Sequence, residues 1–293
     1  MRTLALALWL PLSLAMAAVW VWSRKNGNAD FLLKVRAGFL GGLWGTIGYD
    51  LVRIPFHLVG QNPFPPMRAY GVWLSGAAFS NPFTDGLGFF YHLSNGITLG
   101  WIYSFLFLRK RWIWGIVWGV LLETIAVSTA FGELFRLRSA YGALGLAYAA
   151  HLFYGFPLGV ICQRPEGRSR IGWAAPLFLT VVFVWFVTAW QPVGKQPALQ
   201  PGQMLVGRES LYPGWSDRPL GSVLVIRNLL PEPVRVKVRR PTTPLKESEE
   251  LPLAPFQTAQ IPLNERGVYQ FGVAEKPWRS LFLSVSEEGN YRP

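Results

Sequence analysis

The sequence predicts an all-α, six-helix transmembrane bundle followed by a small soluble, all-β sandwich domain. Of the 293 residues, 51% are hydrophobic and only 15% are charged, whereas soluble domains carry about 25% charged residues. The charges are also unevenly placed: residues 1–190 contain 15 Lys/Arg and 6 Asp/Glu, and residues 191–293 contain 13 and 10. These observations indicate two solvents, lipid for the first part and water for the second.

Six apolar segments account for the first part, each close to the ~20 residues that cross a bilayer as a helix. They cover residues 3–22, 37–59, 87–108, 112–131, 141–162 and 172–190. Basic residues gather in the connections 23–36, 109–111 and 163–171, which share one side if the segments alternate. Because cytoplasmic loops are rich in Lys and Arg, we expect a multi-pass protein of the cytoplasmic membrane. Both termini and the sandwich are then on the outer side.

The first segment has an alternative interpretation as a cleaved signal peptide, since Arg2 and an apolar run precede Ala15-Met16-Ala17. Cleavage there would invert every later loop and place the basic connections outside. The charge bias therefore favours an uncleaved span.

The net charge of +12 does not indicate nucleic-acid binding, because the basic residues lie in short loops between apolar runs. The single cysteine, Cys162, excludes an intrachain disulfide.

The outer loop 60–86 is too long for a plain turn. Its 69–80 stretch is predicted to be a short helix in the membrane interface or a loop packed over the bundle.

A proline-rich stretch, residues 191–203, is predicted to be a linker to a sandwich domain at 204–293. Short alternating runs follow, which predict an antiparallel sandwich. These runs are residues 222–228, 234–238, 258–263, 267–273 and 280–285.

The run Val223–Asn228 followed by Pro231–Val236 resembles the strand–Asn–Pro-His–strand passage of cupredoxins. Residues 253–261, 267–271 and 281–285 are similar to their later strands. The resemblance covers roughly residues 202–287 and is shared with other sandwiches, immunoglobulin-like ones included. It implies a cupredoxin-like fold and, by analogy, a respiratory or copper-handling setting.

The copper ligands of that family are absent. Where the resemblance places the first His and the Cys, this sequence has Glu232 and Val273. Residues 191–293 contain neither His nor Cys, and a type 1 copper site needs both. The domain is therefore expected to bind or pack rather than to carry copper.

All three histidines, His57, His92 and His151, fall within predicted spans, and so do Asp50 and Glu123. Ionisable residues at that depth are costly and are functional candidates. The predicted topology puts all five in the outer half of the bundle. We expect His92 and His151 to be ligands of a haem, or of a copper or iron ion, with the other three as secondary candidates.

Two of these segments resemble each other: six of eleven positions are identical between residues 92–102 and 151–161. Each has His at i and glycines at i+4 and i+8, which places the three on one helix face. This suggests a parallel duplication of a two-helix unit, spans 3–4 and 5–6. The glycines are Gly96, Gly100, Gly155 and Gly159, and Gly38, Gly42 and Gly45 give span 2 its own close-packing face.

Each motif also has a simpler interpretation. The glycines can serve helix packing alone, with each histidine bonded across the interface. In span 2, Asp50, Arg53 and His57 share a face, so Asp50 and Arg53 can form an ion pair instead of a site.

The sequence contains no GxSxG elbow, P-loop or HExxH motif, and Ser94 and Ser128 lack the flanking glycines of a membrane serine protease. Two hypotheses remain. The first is a membrane-embedded metal or haem protein, and the second is a non-catalytic scaffold or assembly subunit. In the second, the exported sandwich docks onto a partner complex.

Overall fold

The computed structural model describes the chain in two parts, helices first and strands second. The described residues are 10–55, 65–77, 79–129, 131–132, 135, 141–168, 178, 199–200, 202–207, 211–243 and 247–287. Residues 3–9 of the predicted first span, and 172–190 of the sixth apart from 178, lie outside them.

The helices are α1 (Leu10–Lys25), α2 (Ala29–Leu51), α3 (Pro65–Ser75), α4 (Pro82–Phe107), α5 (Ile113–Ser128), α6 (Tyr141–Gln163) and the one-turn α7 (Pro165–Arg168). Helices α2 and α4 begin five to eight residues before the predicted spans, because polar caps start them. The Asn28 side chain accepts a hydrogen bond from the Phe31 N–H. Asn81 and Thr84 form a capping box around Pro82 at the first turn.

Within the described residues, one helical stretch, Leu144–Gln163, is long and apolar enough to cross a bilayer, judged by length and composition. Ile113–Ser128 is apolar but shorter. Of the six predicted spans, this is the one that meets the test within the described residues, and the six-span bundle stays a prediction.

The four long helices that carry the candidate residues pack side by side in the order α4, α2, α6, α5. Burial differs between these helices: α2 buries large apolar side chains such as Leu40 and Leu43, whereas α5 does not. On α5 the buried residues are Gly115, Gly119 and Glu123. Its large apolar side chains point outward: Trp114, Val117, Leu121 and Ile125 are all exposed.

The strands are β1 (Gln203–Val206), β2 (Leu211–Tyr212), β3 (Trp215–Pro219), β4 (Val223–Asn228), β5 (Val234–Arg239), β6 (Glu249–Leu253), β7 (Thr258–Pro262), β8 (Gly267–Val273) and β9 (Lys276–Ser286). They form a four-stranded sheet, β2-β1-β4-β7, and a five-stranded sheet, β3-β9-β8-β5-β6. Alternate residues of β4, β5 and β8 point into one apolar core between the sheets.

The predicted antiparallel pairing is only partly right, because β1 runs parallel to β4 and β3 runs parallel to β9. The five strands predicted from alternation are present as β4, β5, β7, β8 and β9. The other four were not predicted. In β3 the residues Trp215, Ser216 and Asp217 are consecutively buried, so alternation gives no signal there.

The sandwich packs directly against the helical part of the chain. Helix α3 lies on α4 on one side and contacts β3 on the other. Trp73 of α3 and Trp215 of β3 meet edge to face, with ring centroids 6.0 Å apart. The 69–80 stretch, predicted as an interfacial helix or a packed loop, is thus mostly helix α3 and joins the two parts.

Candidate functional site

Glycines bring α2 and α4 into backbone contact and so determine which side chains meet. A Cβ placed on Gly42 would lie 2.5 Å from the carbonyl oxygen of Gly96. One placed on Gly38 would lie 2.7 Å from Cα of Trp101 and 2.8 Å from the Gly100 oxygen. The later residue of α2, Gly42, meets the earlier residue of α4, Gly96. The two helices are therefore antiparallel.

The same arrangement recurs between α5 and α6. A Cβ on Gly155 would overlap the carbonyl of Gly115, and one on Gly119 would overlap the carbonyl of His151. A Cβ on Gly159 would overlap the carbonyl of Trp112. Small residues at such crossings let helix backbones approach closely, as the GxxxG pattern predicts.

The first crossing brings His92 to Asp50. Nε2 of His92 lies 3.1 Å from Oδ1 of Asp50, and Asp50 is buried. Since a carboxylate oxygen accepts, this geometry favours the imidazole tautomer that carries its proton on Nε2.

The second crossing brings His151 to Glu123. Nδ1 of His151 lies 2.9 Å from Oε2 of Glu123 and 3.0 Å from the carbonyl oxygen of Ala147. Glu123 is only 2% exposed, and its Oε1 has no hydrogen-bond partner among the described residues. A buried polar atom without a partner is costly, so this oxygen is a point where a proton or ligand would be stabilised.

Tyr49 connects the two pairs. Its ring centroid lies 5.4 Å from that of His92 and 4.8 Å from that of His151. The guanidinium of Arg53 also lies over the Tyr49 ring, with its carbon 4.4 Å from the ring centroid. Both imidazoles therefore contact one aromatic side chain on the central helix α2.

The predicted candidates thus come together in part. His92, His151, Asp50 and Glu123 form two pairs around one tyrosine, and His57 lies outside the described residues. Asp50 contacts His92, and the Asp50–Arg53 ion pair of the simpler interpretation stays a prediction.

The predicted duplication of spans 3–4 and 5–6 stays a prediction, because span 6 lies outside the described residues apart from residue 178. Among the described helices, each histidine-bearing helix packs on the helix that carries its carboxylate, α4 on α2 and α6 on α5, and α6 also packs on α2. The glycine crossings hold each carboxylate helix against its histidine helix. The predicted glycine face of α2 also divides, since Gly38 and Gly42 face α4 while Gly45 faces Tyr154 of α6.

Tyr49 was missed by sequence reasoning. A tyrosine next to Asp50 has no distinguishing pattern, and its role depends on contacts with two other helices. The signal that could have found it is the position: residue 49 lies one before Asp50, on the helix with close-packing glycines on two faces.

The described residues do not form a complete metal-binding site. Within the described part of the chain, no group of three or more His, Cys, Asp and Glu is placed to hold a metal ion. Each carboxylate occupies one nitrogen of its imidazole, which leaves one nitrogen per ring for any ligand.

Asn228 holds the loop in which the cupredoxin resemblance places the first ligand, and this loop contains neither His nor Cys. The Asn228 amide donates to the carbonyl oxygens of Glu232 and Ala254 at 2.9 and 3.0 Å. Glu232 is exposed, and Val273 is buried in the apolar core.

Comparison with known proteins gives a likeness for the sandwich alone. No family model and no curated protein matches the chain. Among solved structures, a purple cupredoxin from Nitrosopumilus maritimus is similar at 19% identity and a TM-score of 0.25, over 29% of this chain and 99% of that one. A Cu(I) mutant of amicyanin is similar at 11% identity and a TM-score of 0.27, over 31% and 87%.

Proposed function

We propose that this chain is a multi-pass membrane protein whose buried carboxylate–imidazole pairs take up and release protons within the bilayer. The observation that carries the proposal is the contact of both pairs with Tyr49. Asp50–His92 and Glu123–His151 thereby form one connected group of five polar side chains.

The burial of α5 supports a lipid environment. Helix α5 buries two glycines and a glutamate and exposes a continuous apolar face. Helix α4 buries glycine, serine, threonine and three aromatic residues, and it exposes Phe83, Phe90 and Leu106. In water such a surface would be a large apolar patch, whereas in lipid it is the expected solvent contact. The topology with both termini outside stays a prediction.

Proton exchange fits the chemistry of the paired groups. Chains of Asp, Glu and His in membrane helices are typical of proton relays, because each pair holds a proton without placing an isolated charge in lipid. Among the described residues, Oε1 of Glu123 has no hydrogen-bond partner, so this atom is open to a further donor.

The test is proton flux in sealed proteoliposomes that contain a trapped pH dye, driven by an imposed potential. Wild type is expected to conduct protons, and Glu123→Gln and Asp50→Asn are expected to reduce the flux at least tenfold. Glu166→Gln is the matched control, because Glu166 is exposed and pairs with Arg109 outside the site. Wild-type flux equal to that of empty liposomes would rule the relay out.

A second candidate is ligation of a haem, or of a copper or iron ion, by His92 and His151. The specific observation in its favour is that a carboxylate holds one nitrogen of each imidazole, as outer partners do for metal-bound histidines. The visible spectrum and the Fe and Cu content of the purified protein test it, with His92→Ala and His151→Ala as comparisons. A colourless, metal-free wild type eliminates this candidate.

A protein with neither proton flux nor bound metal would leave the non-catalytic alternative, a scaffold or assembly subunit whose sandwich docks on a partner complex. The respiratory or copper-handling setting also stays a prediction.

A further inference from the structure

The contact between the sandwich and the helical part is made along the edge of a sheet. β3 is the edge strand of the five-stranded sheet, and residues 79–80 pair with it from the helical side. The Ser80 N–H donates to the Trp215 carbonyl at 2.9 Å, and the Trp215 N–H donates to Oγ of Ser80 at 3.0 Å. Phe79 and Ser216 form an antiparallel bridge. The chain thus covers this edge of the sandwich with its own backbone.

Aromatic side chains fill the same contact. The indole of Trp215 is fully buried and meets Trp73 edge to face at 6.0 Å. Phe135 and Phe282 complete the cluster, with centroids 5.9 and 6.1 Å from Trp215. Edge-to-face pairs of this kind add to the stabilisation from burial.

One acid is buried inside this contact. Asp217 on β3 is 5% exposed, and its Oδ1 has no hydrogen-bond partner among the described residues. Within the part of the chain that the structure describes, the polar groups that act on it are the Trp73 indole from α3, and Trp215 and Arg218 from β3 itself. On β9 the residue in register is Ser284.

Among the described residues, two other charged groups at the contact pair with each other. Nε of Arg68 on α3 lies 3.6 Å from Oδ2 of Asp85 on α4. The Arg68 guanidinium also lies against Gly214, in the turn that leads into β3. Across the described ranges, Asp217 is therefore surrounded mainly by two indole rings and by its strand neighbour Arg218.

Burial raises the pKa of Asp217 from its ordinary value of 3.8 to about 7, although the indoles of Trp215 and Trp73 and the charge of Arg218 act to lower it. An acid with this pKa changes charge close to neutral pH. Ionisation then leaves a carboxylate charge inside an aromatic contact.

We propose that protonation of Asp217 controls how the sandwich docks on the helical part. The sandwich packs tightly against α3 and residues 79–80 when Asp217 is protonated, and this packing loosens when the carboxylate ionises. The inference is independent of the proton relay, since it uses no residue of the two histidine pairs.

The direction of the pH effect follows from where the proton is bound. The docked form binds this proton more tightly than a released form, in which Asp217 meets water. Docking is therefore fully favoured below about pH 4 and weakens as the pH rises to about 7. Above that it stays constant. The docking equilibrium changes by at most about tenfold for each pH unit in that window.

The experiment is hydrogen exchange on the full chain in detergent, with protection factors for peptides that cover residues 79–81 and 213–218. In wild type, protection at these amides is expected to fall between pH 5 and pH 7 and to level off above pH 7. Asp217→Asn, which keeps the shape and cannot ionise, is expected to stay protected at every pH.

Glu232→Gln is the matched control, because Glu232 is an exposed acid on the same domain. It should keep the wild-type profile. Protection of β8 amides in each variant reports whether the sandwich itself is folded. If Asp217→Asn leaves the β8 amides unprotected, Asp217→Ser provides the same test in a smaller side chain. A pH-independent wild type, or a non-ionisable variant that keeps the wild-type pH profile, overturns the proposal.

Discussion

The imidazole of His92 on α4 reaches the carboxylate of Asp50 on α2, with Nε2 3.1 Å from Oδ1. The pair depends on the crossing of the two helices, where Gly42 and Gly96 place one backbone directly on the other. A similar crossing of α5 and α6 supports the pair of Glu123 and His151. The close packing of the helices therefore determines which histidine meets which carboxylate.

Adding a methyl group at a crossing glycine should separate the helices. For Gly155→Ala we expect a loss of about 1–3 kcal/mol in the free energy of unfolding, because the new Cβ overlaps the Gly115 carbonyl. Gly145→Ala, on the same helix with nothing within 4 Å, should instead be neutral or stabilising by up to about 1 kcal/mol. Unfolding in detergent, followed by circular dichroism, measures both. Equal effects at the two positions would contradict the close contact.

The two imidazoles should hold different tautomers. The geometry puts the proton of His92 on Nε2, facing Asp50, and that of His151 on Nδ1, facing Glu123 and Ala147. With only three histidines in the chain, ¹⁵N spectra of histidine-labelled protein resolve them. Asp50→Ala should produce a mixture of tautomers at His92 and leave His151 unchanged. A change at His151 alone would show that the pairs are assigned wrongly.

We expect the ring of Tyr49 to contribute more to the free energy of unfolding than its hydroxyl group does. Tyr49→Phe keeps the contacts with both imidazoles and with Arg53, and it should cost under about 1 kcal/mol. Tyr49→Ala removes them and leaves a cavity, at a cost of about 3–5 kcal/mol. Thermal unfolding of the two variants side by side separates these expectations, and a Phe variant as unstable as the Ala variant would refute them.

We expect the buried charges of Arg68 and Asp85 to stabilise the fold only when both are present. Arg68→Met leaves Asp85 buried without its partner, and we expect a loss of about 3–5 kcal/mol. The double variant Arg68→Met with Asp85→Asn should recover most of that loss. A double-mutant cycle in unfolding free energy measures the coupling. Strictly additive single effects would show that the two charges do not interact.

Asn228 should stabilise the loop at one end of the sandwich. Its amide donates to two carbonyls, and its Oδ1 accepts from the Leu230 N–H at 2.9 Å. Because Asn228→Ala leaves these buried groups unpaired, it should cost about 2–3 kcal/mol. The neighbouring exposed residue gives a control, since Arg227→Ala should fall within about 0.5 kcal/mol of wild type. Denaturant unfolding of the full chain distinguishes the two.

Local patterns determined much of the secondary structure from sequence. Apolar runs predicted the helices that the structure describes as α2, α4, α5 and α6, and alternation predicted five strands. The reason is that helix and strand periodicities are properties of neighbouring residues. The starts of α2 and α4 were predicted too late, because hydropathy does not register the Asn28 and Asn81 caps. In the same way, β3 was missed because its consecutive buried residues break the alternation.

The amino-acid sequence by itself also determined which polar side chains are candidates, since His57, His92, His151, Asp50 and Glu123 are ionisable residues within apolar segments. Only the tertiary structure decided that Asp50 meets His92, that Glu123 meets His151 and that Tyr49 contacts both imidazoles. The same holds for Asp217 and Trp73, which come from segments more than a hundred residues apart. Such pairings depend on which helix faces and sheet edges meet, and that geometry is set by contacts between distant residues, which no local pattern encodes.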